Sequence, residues 1–138
     1  MSTDAQESPE LLELHDAHVA AWNELDFDRL AQLYHPNCLI FDSMPPPVHM
    51  GWAAFRAAVE PLMRSFSRFR LRTFDRVSRA FQRIDDRIGW VGSRYEVEAS
   101  IGDQPYRRTG RWTEVYEKRE HEWRLIHLHS SDDPEPLE

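Results

Sequence analysis

The sequence predicts an α+β domain with its helices early and its sheet late. Two observations carry this. Apolar residues recur at helical spacing in the first half of the chain. After Phe66 the texture changes to three long alternating runs, at about 68–82, 88–100 and 105–119, with a last strand starting near Glu122. Asp85-Asp86, Gly102-Asp103 and the tight "REHE" stretch separate these runs, which predicts four antiparallel strands in a meander. Helices and strands segregated in this way define the α+β class.

The elements follow in order. Ser8-Pro9 reads as an N-cap with proline at the first helical position. Leu11, Leu14, His18, Trp22 and Leu25 then recur at helical spacing, giving a helix of about sixteen residues. Asp26 or Asp28 can cap a short second helix with Leu30, Leu33 and Tyr34 on its apolar side, and Pro36 stops it. "CLIFD" is a buried strand. "SMPPPVHMG" reads as a loop, because three consecutive prolines suit neither a helix nor an inner strand. "WAAFRAAVEPLMRSF" is a third helix, which Pro61 must kink or split. One domain over residues 8–131 is expected, with flexible termini at 1–7 and 132–138.

Composition narrows the function. With 138 residues, 41% apolar and 30% charged, the chain is an ordinary single globule. Its net charge of −7 argues against nucleic-acid binding. It contains neither an eighteen-residue apolar run nor a secretory leader pattern, so no membrane partner is expected. The single cysteine, Cys38, suits a reducing cytoplasm, and without a basic neighbour in sequence it reads as an inert buried thiol. Lys118 is the sole lysine, which disfavours Schiff-base chemistry, and no cofactor motif is present. Charge is uneven. Residues 1–28 hold eight acids and no Lys or Arg, whereas "RSFSRFRLRTFDRVSRAFQR" holds seven arginines and one aspartate. Such a run is a solvated face, a subunit contact, or an attractor of an anionic partner.

"NELDFDRLAQLYHP", then "FD", then a glycine opening the third helix, then "RRTGRWTEVYEKREHEWRLIHLHSS" resembles the nuclear transport factor 2-like superfamily, SnoaL-like group. Within it, the chain looks most like the association (hub) domain of calcium/calmodulin-dependent protein kinase type II and its free-standing bacterial relatives. The likeness spans roughly residues 10–131. It implies a cone, a strongly curved antiparallel sheet wrapped around three helices, and a homodimer or larger homo-oligomer. It also implies an anion pocket lined by Arg94 of "GSRYEV" and Arg108 of "YRRTG", with Asp42 of "IFD" beside them. Ser130 stands where the family carries a third arginine, so a less cationic pocket is expected. Activity does not follow, because fold is not function.

Residue by residue, Arg94 shares a strand parity with Trp90, Gly92 and Glu96, and if that parity faces inward it needs a partner such as Glu96, Asp42 or a ligand carboxylate. Arg107 and Arg108 must face opposite ways. Asp42 either pairs with the arginines or, in an apolar cup, acts as a general base. His127 and His129 share a strand face with Cβ atoms about 6–7 Å apart. They are read as a polar seam or pocket lining in preference to a metal site. Tyr34, Trp52, Trp90, Tyr95 and Trp112 are the aromatic candidates for the pocket wall. His18 falls on the apolar stripe of the first helix, three residues after His15. The reading is a domain that binds a small, acidic molecule through Arg94, Arg108, His127 and these aromatics. The alternatives are an isomerase, cyclase or hydrolase with Asp42 or His129 as base, and a purely structural self-association module.

Overall fold

The computed structural model describes residues 6–134. Helix α1 spans Pro9–Asn23. Ser8 caps it, its hydroxyl accepting from the Leu11 N–H, and Pro9 occupies a first-turn position where no donor is lost. Helix α2 spans Phe27–Leu33 and is capped by Asp26, which accepts from the Arg29 N–H at 3.1 Å. Helix α3 spans Trp52–Ser65. It begins at Gly51, whose φ of 92° only glycine adopts freely and where a Cβ would press on the Pro36 carbonyl. Pro61 lies inside α3 without ending it; the helix forgoes one hydrogen bond there.

Six strands form one sheet in the order β2-β1-β6-β5-β4-β3, with β1 at Tyr34–Phe41, β2 at Val48–Met50, β3 at Arg68–Gln82, β4 at Arg87–Ile101, β5 at Gln104–Arg119 and β6 at Glu122–Asp132. The meander β3–β6 is antiparallel as expected, but β1 pairs with β6 in parallel, so the sheet is mixed. Strand β2 falls inside the stretch read as loop; it adds three residues to the free edge of β1. Register breaks bend the sheet: β3 carries one extra residue between Phe74 and Val77, and β6 slips between Leu125 and His127, leaving Ile126 unpaired with β5.

Those breaks decide which residues face the helices. On β4 the inner row is Val91, Ser93, Tyr95 and Ala99. On β5 it is the even positions from Tyr106 to Tyr116, and on β6 it is Trp123 and Leu125, then, past the slip, Leu128 and Ser130. The three helices cover this concave side, and the core joins Leu11, Trp22, Phe27, Leu30, Tyr34 and Phe55 to the sheet. The outer face exposes Phe74 and Val77.

The termini expected to be flexible are partly tied down. Gln6 exchanges backbone hydrogen bonds with Ala80, and the Asp133 N–H donates to the Thr109 carbonyl at 2.9 Å. Residues 1–5 and 135–138 lie outside the described residues. No helix among the described residues is long and apolar enough to cross a membrane.

Candidate ligand-binding site

A cavity of about 150 Å³ opens between α3 and the inner face of the sheet. A void of that size holds a ring-sized apolar group. Its apolar wall comes from the inner stripe of α3 (Phe55, Val59, Leu62, Met63) and from Leu71 and Val97 of the sheet. The polar groups gather on the strands: Asp42 after β1, His49 on β2, Tyr95 on β4, Tyr106, Arg108 and Trp112 on β5, and Ser130 on β6.

Arg108 sits 3.1 Å from Asp132 Oδ2, and its guanidinium lies over the Tyr106 ring at 5.0 Å. Tyr95 donates its hydroxyl to Asp132 Oδ1 at 2.6 Å, and burial, then that carboxylate, push the phenol pKa up. Asp132 is therefore shared between a phenol and a guanidinium. The Tyr106 hydroxyl and Trp112 Nε1 are buried and have no hydrogen-bond partner, whereas Arg108 Nη1, also buried, is the nitrogen that pairs with Asp132, outside hydrogen-bond geometry. Gly110 makes room for this arrangement, since a Cβ there would meet Tyr95 Oη at 2.5 Å and the Ser131 carbonyl at 2.2 Å.

Across the cavity, burial raises the Asp42 carboxyl above the usual range, against the pull of the Met44 N–H and of His49. His49 Nε2 lies 4.0 Å from Asp42 Oδ2, and His49 itself is buried. Asp42 thus faces an imidazole more closely than it faces a guanidinium, because Arg108 is already held by Asp132.

Behind the cavity wall lies a second, closed polar cluster. Glu114 on β5, with no solvent exposure, accepts from His15 Nδ1, from His18 Nδ1 at 2.9 Å, and from the Tyr116 hydroxyl. Trp22 donates its indole N–H to His18 Nε2 at 2.9 Å, so that nitrogen is an acceptor and Nδ1 carries the proton. The Tyr34 hydroxyl reaches the same nitrogen at 2.7 Å, and His15 Nε2 meets the Thr73 hydroxyl at 2.8 Å. Burial alone would raise the Glu114 carboxyl; the imidazoles of His18 and His15 overcome it and hold the carboxyl at about 2. The cluster touches the cavity through Trp112, which stacks on His18 at 5.2 Å and 7°.

The SnoaL-like domain model matches residues 11–134. The chain belongs to the SnoaL-like family. Solved structures agree on the fold. A nuclear transport factor 2-like protein of unknown function from Pseudomonas putida superposes with a TM-score of 0.76 at 19% identity, over 94% of this chain and 87% of that one. A candidate calcium/calmodulin-dependent protein kinase II association domain from Xanthomonas campestris gives 0.76 at 22%, over 99% of both chains. A candidate scytalone dehydratase from Novosphingobium aromaticivorans gives 0.74 at 11%, over 90% of this chain and 82% of that one. No curated protein matches the sequence.

Within this SnoaL-like domain the residues singled out from sequence fall into three places. Arg108, Asp42, Tyr95 and Trp112 line the cavity. Tyr34 and Trp52 are buried in the core, where Tyr34 bonds His18. Arg94, Trp90, His127 and His129 lie on the outer face, which corrects the expectation that they line the pocket. Arg94 is 63% exposed and 3.7 Å from Asp75, because odd and not even positions of β4 face the helices. Glu96, on the same outer row, binds Arg72 and Arg107 instead. The slip at Ile126 turns both histidines outward: His127 meets the Leu39 carbonyl at 2.8 Å, and both rings stand edge-on to Phe41. A proton-transfer role for His129 inside the cavity is thereby removed. Cys38 is buried, and burial pushes its thiol up to about 11. Tyr106 and His49 join the cavity without having been anticipated; Tyr106 could have been found from its parity with Arg108.

Proposed function

We propose that this domain binds a small, largely apolar molecule carrying a carboxylate, with Arg108 as the anion anchor. One observation carries the reading: the Arg108 guanidinium lines the cavity beside the buried, unbonded Tyr106 hydroxyl, and its carboxylate partner, Asp132, is shared with Tyr95. A buried donor in that state is costly unless something accepts from it, and a guanidinium fork suits a carboxylate. Asp42 does not oppose such a ligand, since its raised carboxyl takes up a proton more readily than a surface aspartate. Arg108→Ala should weaken octanoate binding at least tenfold by calorimetry, whereas Arg94→Ala should leave it unchanged. Equal losses in both variants, or none in Arg108→Ala, defeat the proposal. Self-association through the outer face, where Phe74 and Val77 are exposed, is compatible with this reading, because the cavity uses the other face. Arg108→Ala should therefore sediment with the mass of the wild type.

Asp42 supports a second reading, a proton-transferring enzyme. A carboxyl raised by burial, in a cavity and beside a buried imidazole, has the makings of a general base. A benzisoxazole that opens when its ring proton is removed is a direct probe. The wild type should accelerate ring opening along a titration curve displaced above ordinary carboxylates, and Asp42→Asn should lose about a hundredfold. Undiminished rates in Asp42→Asn exclude the carboxyl as base.

A further inference from the structure

Across the cavity from Arg108 stand two polar side chains that the carboxylate anchor does not use. Asp42 and His49 both line the cavity. His49 is 5% exposed and its ring packs against Phe55 at 5.0 Å, yet neither ring nitrogen makes a hydrogen bond among the described residues. Unlike Trp112 Nε1, these nitrogens keep accessible surface. The Met44 N–H donates to Asp42 Oδ1 at 3.3 Å, which leaves Oδ2 free. His49 Nε2 stands 4.0 Å from that free oxygen. The gap is too long for a direct hydrogen bond, and it is the span that one oxygen atom bridges with a normal bond to each side.

The chemistry of the bridging group follows. With one proton between them, Asp42 Oδ2 and His49 Nε2 offer one donor and one acceptor, whichever atom holds it. A hydroxyl donates and accepts through a single atom, and so satisfies both. A carbonyl or ether oxygen only accepts. An ammonium only donates, and would bring a second cation into the cavity that holds Arg108.

The size of the ligand follows from placement. Arg108 reaches along β5 to Asp132, whose strand partner is Gly110. Asp42 follows Phe41, which pairs with His129, and the Ser43 N–H donates to Ser130 Oγ at 3.3 Å. The two polar ends are thus offset by two residues of β6, about 7 Å at strand spacing. The void they share is about 150 Å³, the room of one ring. A ring also has no internal rotations to freeze on binding, whereas a chain does.

Resting on the carboxylate reading above, we infer that the ligand is a single-ring hydroxy acid: Arg108 and Tyr106 hold its carboxylate, the α3 wall holds its ring, and its hydroxyl bridges Asp42 Oδ2 and His49 Nε2. His49 selects for the hydroxyl, because an acid without one leaves the pair unjoined by the ligand.

Benzoate, its three hydroxy isomers and the matching fluoro isomers, titrated by calorimetry, test this. One hydroxy isomer should bind at least tenfold tighter than benzoate. Its fluoro counterpart, close in size but unable to donate, should not. His49→Phe keeps a ring against Phe55 and should abolish the preference, whereas His129→Phe, on the outer face, should retain it. Should His49→Phe fail to fold, proton–nitrogen spectra of the wild type decide: one of the seven histidine ring signals should move on adding the preferred isomer and stay still on adding its fluoro counterpart. No gain in any hydroxy isomer, an equal gain in its fluoro counterpart, or a preference that survives His49→Phe overturns the inference, and octanoate held through Arg108 then leaves the carboxylate site standing. If neither octanoate nor any ring acid binds, both readings fall.

Discussion

Glu114→Ala should destabilise the domain by about 3–5 kcal/mol, the range for removing one partner from a buried charged network. The loss has identifiable parts. His15 Nδ1, His18 Nδ1 and the Tyr116 hydroxyl all lose their acceptor in a region closed to water, and a void opens where the carboxylate stood. Urea unfolding should show a lower midpoint at an unchanged slope. The acid limb of the stability curve follows from the same residue. The folded carboxyl is held at about 2, below its value in an unfolded chain. Its contribution is therefore fully present above the ordinary glutamate range and is lost as pH falls through that range toward about 2. Glu114→Gln keeps the shape, removes the charge, and should flatten that limb. If the stability of Glu114→Gln falls between pH 5 and 2 as steeply as that of the wild type, the buried carboxylate is not the group responsible.

Gly110→Ala should cost about 3 kcal/mol, at the upper end for overpacking. The added Cβ would stand 2.2 Å from the Ser131 carbonyl, a backbone atom that can retreat only by opening the β5–β6 pairing beside Gly110 and Asp132. The Tyr95 hydroxyl, 2.5 Å away on the other side, would be driven off Asp132. Asp132 could then close fully on Arg108, so octanoate affinity should fall together with stability. Gly92→Ala is the control. Its Cβ would meet only Trp90 at 4.0 Å, and both quantities should stay near wild type. A Gly110→Ala protein as stable as Gly92→Ala would mean that the strands part more easily than their register suggests.

Much of the fold was legible in local pattern. The three alternating runs agree with β3, β4 and β5 to within a residue at each end, and Ser8-Pro9 and Asp26 cap α1 and α2 as their chemistry demands. β2 was hidden because three residues behind a proline run carry no alternation of their own; its pairing with β1 makes it a strand. The site was only half legible. Period-two reasoning separates the faces of a strand without saying which is inner: Arg107 and Arg108 do face opposite ways, but the choice of Arg108 and Arg94 for the pocket came from the resemblance, and of the two only Arg108 lies on the inner row. The slip at Ile126 reverses phase within β6, and nothing in "EWRLIHLHSS" marks it. The Glu114 cluster was out of reach for a different reason. Its histidines lie 99 and 96 residues from the carboxylate, so only the fold brings them together, although their spacing on α1 put them on one side.

The parallel pairing of β1 with β6 bears on how the molecule is made. β6 is the last of the six strands to leave the ribosome, yet it lies between β1 and β5. Until it emerges, β1 with β2 and the meander β3–β5 have no strand to join them, and each keeps an open edge. Closure then awaits long-range contacts, which slow folding and expose unfinished chains to clumping. Nascent chains stalled before Glu122 should accordingly be protease-sensitive throughout and bound by chaperones, and resistance should arrive in one step when β6 clears the exit tunnel.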